Sequence, residues 1–383
     1  PPYVYPPTLA VLVAPLSFLP ANTATMLWKL AQHVCLLISG GLLVSLVPPR
    51  ARAMLVAIFC LGLLTAPVHD EIMTGESNSL VFVLVVAAVW LVSRQEKAER
   101  KDPYHITVII AGLLLGLAIS IKVLPVLVVA YFAWKGPRRV AAWAAAGFFG
   151  TQLLTLALAP ATMRYWLEVF PGLFGQAFPY PDNQSINAFL ARALLATDPN
   201  LPPMQIAQGE PVRGAVTWLA NLAVAGTAAF LLWKSGHIDT GEEHDQRRVR
   251  LLLEVGLVLL TTHLVSGSTW LHHLVALAVP VAGLVGTWGL RGRAGIPGQL
   301  TLFGVAGALS AFALLLRSPY DWLISAAELA PAGPLLALLA SSTAMWVVIG
   351  LWIIVGRVLT DKRSFADVQA TQAAHAGWQH NRP

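Results

Sequence analysis

Charge is scarce in this chain of 383 residues: Asp, Glu, Lys and Arg together supply 11%, against 56% apolar residues, and mean hydropathy is +0.67. A soluble domain of this size cannot bury so much apolar side chain, so a single water-soluble fold is excluded. Cysteine is nearly absent. Cys35 and Cys60 both lie in apolar runs and read as buried thiols, so no disulfide framework is implied. No P-loop, GxSxG or HExxH pattern occurs, which argues against an ATP-driven pump or a zinc protease. A signal-peptide pattern, a soluble catalytic module and internal repeats are also lacking.

What remains is a succession of apolar runs, at 23–46, 53–67, 78–93, 106–121, 123–134, 140–159, 215–233, 251–265, 274–290, 298–316 and 334–356. They are long and lack polar alternation, so they read as helices, not barrel strands: an all-α, polytopic transmembrane helical bundle with about eleven membrane segments. Residues 1–363 form one integral membrane domain, and the polar, aromatic-poor residues 364–383 read as a disordered cytoplasmic tail.

The cations orient the bundle. Most of the 25 Lys and Arg residues fall on alternate connections, among them Arg50, Arg94, Arg138, Arg139, Arg248 and Arg291, while the acids divide almost evenly between the sides. That asymmetry places those connections and the C-terminus in the cytoplasm, and 67–78, 160–214, 266–273 and 317–333 outside, at a cell membrane and, by expectation, a bacterial plasma membrane. The net charge of +6 follows from this collar and needs no nucleic acid. The chain begins Pro1-Pro2-Tyr3, and the alternation puts that start outside; the expectation is that a first span and a first outward loop precede it.

Lys122 stands between two apolar arms, Ala111-GLLLGLAISIKVLPVLVVAYFAW-Trp134, with Pro125 three residues on. Each arm is roughly 12 to 17 residues, short of the usual span of about 20. Two readings stand: a charge held at a broken segment for an anionic ligand, or a lysine that snorkels to the interface.

Four outward clusters can converge with it. The first is Tyr3-VYPP with a short apolar stretch suited to an interfacial helix; the second is His69-DEIMTGESN-Asn78, with Asp70, Glu71 and Glu76. The third, Asn183-QSINAFLAR-Arg192, sets amides and a hydroxyl before an apolar helix. The fourth, Ser266-GSTWLHH-His273, brings Trp270 and two histidines to the start of a span. Ordinary roles compete: Tyr5 and Trp270 as aromatic-belt anchors, Asp70 and Glu71 as a solvated loop face, Arg192 as a snorkelling residue. His272 and His273 point about 100° apart on a helix, which does not suit one shared metal; one can meet a ligand while the other faces headgroups. As a set, the cations Lys122, Arg192, His272 and His273 suit phosphate oxygens. Tyr5, Glu76, Asn78, Asn183, Gln184, Ser185 and Trp270 suit a sugar and its acceptor.

In order and spacing these elements resemble glycosyltransferase family 87, of the GT-C type. The matching elements are Tyr3-VYPP, Trp28, Gly75-ESN, the Lys122-x-x-Pro125 junction, Asn183-QSINAFLAR-Arg192 and Trp270-LHH-His273, over residues 1–290. The resemblance implies a GT-C-like bundle that moves a hexose, mannose favoured, with inversion, from a polyprenyl-phosphate donor to a lipid or glycan acceptor hydroxyl, without cofactor or metal. It implies a general-base aspartate just before the Tyr-x-Tyr-Pro element, in the preceding loop, so the catalytic base is not among the residues of this chain. It also implies glutamine where Glu76 stands. The rival class is a lipid-linked-sugar flippase or transporter, which requires charges spread through the membrane depth and inverted repeats.

Overall fold

The structure is a computed structural model that describes residues 5–94, 106–173, 176, 178–195, 211–236, 244–291, 307, 315–316 and 334–361. Among these the fold is all-α, with no strand and two isolated bridges, Thr65–Leu316 and Asn183–Trp270. The α-helices of six or more residues are α1 (Thr8–Val13), α2 (Ala21–Leu46), α3 (Pro49–Gly62), α4 (Ala66–Thr74), α5 (Asn78–Ser93), α6 (Ile106–Ile121) and α7 (Val126–Trp134). They continue as α8 (Arg138–Leu158), α9 (Ile186–Leu195), α10 (Pro211–Lys234), α11 (His244–Val265), α12 (Ala278–Arg291), α13 (Pro334–Ala340) and α14 (Thr343–Thr360).

Five helical segments among the described residues are long and apolar enough to cross a membrane, or six if the bent pair α4–α5 is one span. The protein is a multi-pass membrane protein. Its apolar runs predict about eleven segments, and the difference lies in short and broken helices. The run at 53–67 divides into α3 and a separate α4, and 334–356 breaks at Ser341–Ser342. The run at 274–290 enters through a 3₁₀ turn, Leu271–Leu277. Most of 298–316, and all of 196–210, 317–333 and the tail at 364–383, lie outside the described residues.

Two breaks shape the active end. Helix α6 closes with Lys122 N–H on the Ala118 carbonyl, and Pro125, which cannot donate to a continuing helix, caps α7 instead. Helix α4 ends at Gly75 with φ +71°, a left-handed cap that glycine adopts without Cβ strain, and the chain then turns 118° into α5. The Trp28 indole donates to the Gly75 carbonyl at 2.8 Å, and Gln32 of α2 donates to the Glu71 and Glu76 carbonyls. The turn is thereby pinned to a long membrane helix.

Small residues set helix spacing. A Cβ on Gly116 of α6 would lie 2.5 Å from the Ala144 carbonyl of α8, so only glycine permits this backbone approach. Toward the other end of the bundle Glu254 is fully buried. It accepts hydrogen bonds from Tyr131 and Lys135, each at 2.7 Å, and from Arg250 at 3.3 Å, tying α7 to α11. A buried carboxylate requires such partners. The cluster is structural and stands apart from Lys122, with α7 between them.

Candidate active site

The site grows from the two breaks. Lys122, at the end of α6, has a side chain only 3% exposed, and its ammonium donates to Asn78 Oδ1 at 2.7 Å and Glu76 Oε2 at 3.1 Å. His273 Nε2 lies 3.4 Å away, and the Tyr5 ring covers the ammonium with its centroid at 4.5 Å. A snorkelling lysine would extend its ammonium to water. This one points inward, onto three polar atoms and an aromatic face.

Behind it, Glu71 holds the geometry. Its carboxylate accepts the Ser79 backbone N–H at 2.6 Å and the Asn78 amide at 2.7 Å. It therefore caps the N-terminus of α5, where the helix dipole favours an anion, and it turns Asn78 so that the Oδ1 atom faces Lys122. Glu71 is fully buried, and Asp70 meets His272 Nδ1 at 2.8 Å. The reading of this pair as a solvated loop face is corrected: Glu71 is inside and Asp70 is engaged.

The two histidines divide their tasks. On the 3₁₀ turn Leu271–Leu277 both are buried, with rings 4.9 Å apart and edge to face. Neither faces headgroups, contrary to the helical-wheel expectation, because α4 and α5 pack over this turn. His273 accepts from Lys122. His272 donates Nδ1–H to Asp70 and turns Nε2 toward Glu76 Oε1, 3.9 Å away.

Glu76 completes the group. It lies on the Gly75–Ser77 connection, outside the membrane-spanning helices, and Tyr5 donates to it at 3.4 Å. Burial alone would raise its carboxyl pKa, but the Lys122 ammonium and His272, with hydrogen bonds from Lys122 and Tyr5, hold it below the usual carboxylate range.

The third cluster goes elsewhere. Arg192 donates Nη1 to the carbonyls of Tyr180 and Asn183 at 2.6 and 2.9 Å, and Nη2 to Ser342 at 2.9 Å. Asn183 accepts from Thr269 N–H and donates to the Phe178 carbonyl. Gln184 donates to the carbonyls of Pro181 and Ser341 and accepts from Met345 N–H; Ser185 caps α9 through Ala188 N–H. Arg192, Asn183, Gln184 and Ser185, read from the sequence as phosphate- and sugar-binding, thus have these partners within the protein. All four are buried and bonded mainly to backbone groups, and they tie α9, the start of α14 and the segment before Trp270 together. Trp270 itself is half-buried, beside Tyr180 and Phe178 at ring distances of 5.8 and 6.2 Å.

Sequence reasoning misses His263. Buried in α11, it stacks on His273 at 6.5 Å and lines a cavity of about 40 Å³ with Lys122, Asn78 and Thr262. Nothing in the run Leu260-TTHLV-Val265 marks it, because a lone histidine on an apolar helix carries no spacing signal. Among the described residues no group of three His, Cys, Asp or Glu side chains could hold a metal ion.

The geometry is that of a buried cation at an aromatic-lined, carboxylate-rich mouth, and one sequence comparison decides the family. The chain matches glycosyltransferase family 87 over residues 3–267. It belongs to that family. A Mycobacterium tuberculosis polyprenol-phosphate-mannose-dependent α-(1-2)-phosphatidylinositol mannoside mannosyltransferase is 26% identical over 325 residues, 79% of this chain and 66% of the relative. A Mycolicibacterium smegmatis polyprenol-phosphate-mannose-dependent α-(1-2)-phosphatidylinositol pentamannoside mannosyltransferase is 28% identical over 294 residues, 72% of this chain and 59% of the relative. The chain thus spans 66% and 59% of the length of these two curated relatives. Among solved structures, ArnT from Cupriavidus metallidurans bound to undecaprenyl phosphate aligns over 94% of this chain and 68% of its own, at 14% identity and a TM-score of 0.41.

Proposed function

We propose that this family 87 protein is an inverting glycosyltransferase that moves a hexose, mannose favoured, from a polyprenyl-phosphate donor to a hydroxyl of a lipid or glycan acceptor. The observation that carries the reading is the inward ammonium of Lys122 at the α6–α7 break. A buried point charge there suits a phosphate that enters from the bilayer on a lipid tail. An apolar cleft lined by Leu36, Leu43, Leu55 and Ile58 supports the tail's place, since Phe82 and Val275 line both it and the cavity beside Lys122. The names of the mycobacterial relatives support the mannose preference and a phosphoinositide-glycan acceptor.

In the proposed reaction the acceptor oxygen forms a bond to the anomeric carbon from the face opposite the phosphate. The bond from that carbon to the phosphate oxygen breaks, and its electron pair stays on the phosphate. The acceptor proton passes to a carboxylate base, for which the resemblance implies an aspartate just before the Tyr-x-Tyr-Pro element. Lys122 stabilises the charge that develops on the departing phosphate, with His273 holding the ammonium in place and His272 at the rim. Glu76, Tyr5 and Trp270 line the sugar side. The site faces outward and the C-terminus is cytoplasmic, by the distribution of cations.

The test uses purified full-length protein free of endogenous lipid phosphate. Transfer should occur from a polyprenyl-phosphate mannose and not from a nucleotide mannose. Transfer from the nucleotide sugar alone would overturn the reading.

A further inference from the structure

The ammonium of Lys122 already holds an anion. Its other partners are neutral: Asn78, itself fixed by Glu71, and His273 lie inside, and the half-buried Tyr5 turns its ring face to the ammonium. Glu76 is the anionic partner at 3.1 Å, and its side chain is 22% exposed where that of Lys122 is 3% exposed. An incoming anion therefore meets Glu76 first. The Glu76 carboxylate also has somewhere to go, because Tyr5 donates to it at 3.4 Å and His272 Nε2 lies 3.9 Å away. Displaced from Lys122, it keeps the Tyr5 hydrogen bond and stays beside His272.

We propose that Glu76 is a built-in counter-anion that a lipid phosphate must displace from Lys122. Its charge makes the site favour the singly charged, sugar-bearing phosphodiester over the phosphomonoester left after transfer. The inference rests on the donor reading above. The physical argument is one of charge. A sugar-bearing phosphodiester carries one negative charge, and breaking its bond to the anomeric carbon leaves a monoester with about −1.5 to −2 at neutral pH. A carboxylate within a few ångströms repels the monoester more strongly, and the shielded setting strengthens that repulsion. One residue thus opposes product retention, while Lys122 supplies the attraction that both lipids share. Glu76 is a specificity-determining residue in this scheme, and it makes no bond to the reacting carbon.

The experiment is equilibrium binding of undecaprenyl phosphate and of its mannose-bearing diester to purified full-length protein, as wild type, Glu76→Gln and Glu76→Asp. Glu76→Gln removes the charge and keeps the shape, so it should tighten undecaprenyl phosphate by about tenfold and the diester by less. Glu76→Asp keeps the charge and should stay near wild type. Wild-type protein alone supplies a check that needs no variant: it should hold the diester more tightly than the monoester. A Glu76→Gln protein that binds undecaprenyl phosphate no better than wild type, or a wild type that prefers the monoester, overturns the inference and leaves the donor reading standing. Failure of wild type to bind either lipid overturns both.

Discussion

Asp70 and His272 are 202 residues apart in sequence and 2.8 Å apart in space, carboxylate Oδ2 to ring Nδ1. The contact joins the short helix α4 to the 3₁₀ turn Leu271–Leu277. It fixes the imidazole so that Nε2 faces the site. If this pairing is what makes His272 useful, Asp70→Asn and His272→Ala should each lower turnover, and the double variant should be little worse than either. The coupling should be roughly 0.5–3 kcal/mol in a double-mutant cycle. Strictly additive losses would show that the two side chains act separately.

Arg192 makes the opposite case. Its guanidinium grips two backbone carbonyls and Ser342, so Arg192→Ala leaves buried acceptors unsatisfied, at about 1–3 kcal/mol for each such group. The expected result is a lowered unfolding temperature in detergent, with the donor KM of the surviving enzyme close to wild type. A stable Arg192→Ala protein with a sharply raised donor KM would return Arg192 to the phosphate.

These two residues also show what was legible in the sequence. The helical bundle was legible because hydrocarbon solvent enforces long apolar runs, and Lys122 stood out because no other charged residue lies near it in sequence. The same solvent hides the difference between an arginine that holds phosphate and one that holds its own backbone: Arg192 looks identical in both roles until Tyr180 and Ser342 are placed. Helix α4 was not separable from its neighbours either, since nine residues with three titratable side chains give no helical period. Asp70 drew notice as an acid, but its partner could come only from the fold.

Orientation is testable without activity. In a background with Cys35 and Cys60 replaced, a cysteine at Asn200 should label with an impermeant thiol reagent in intact cells, and one at Asp245 should not. The reverse pattern would invert the bundle and put the Lys122 site on the cytoplasmic side.

The central claim is that the Lys122 ammonium holds the donor phosphate most tightly as charge develops on it. Lys122→Met keeps the length of the side chain and removes the charge, and removing one preorganised donor of this kind lowers turnover by about 10²–10³. Lys122→Arg should recover only part of the loss, since a planar guanidinium cannot take the place of a point charge between Asn78 and Glu76. The deciding measurement is the turnover of full-length Lys122→Met with a polyprenyl-phosphate mannose donor, on protein shown to match wild type in yield and unfolding temperature. The account predicts a loss of at least about a hundredfold. Turnover close to wild type would contradict it and leave the phosphate to other groups at the site.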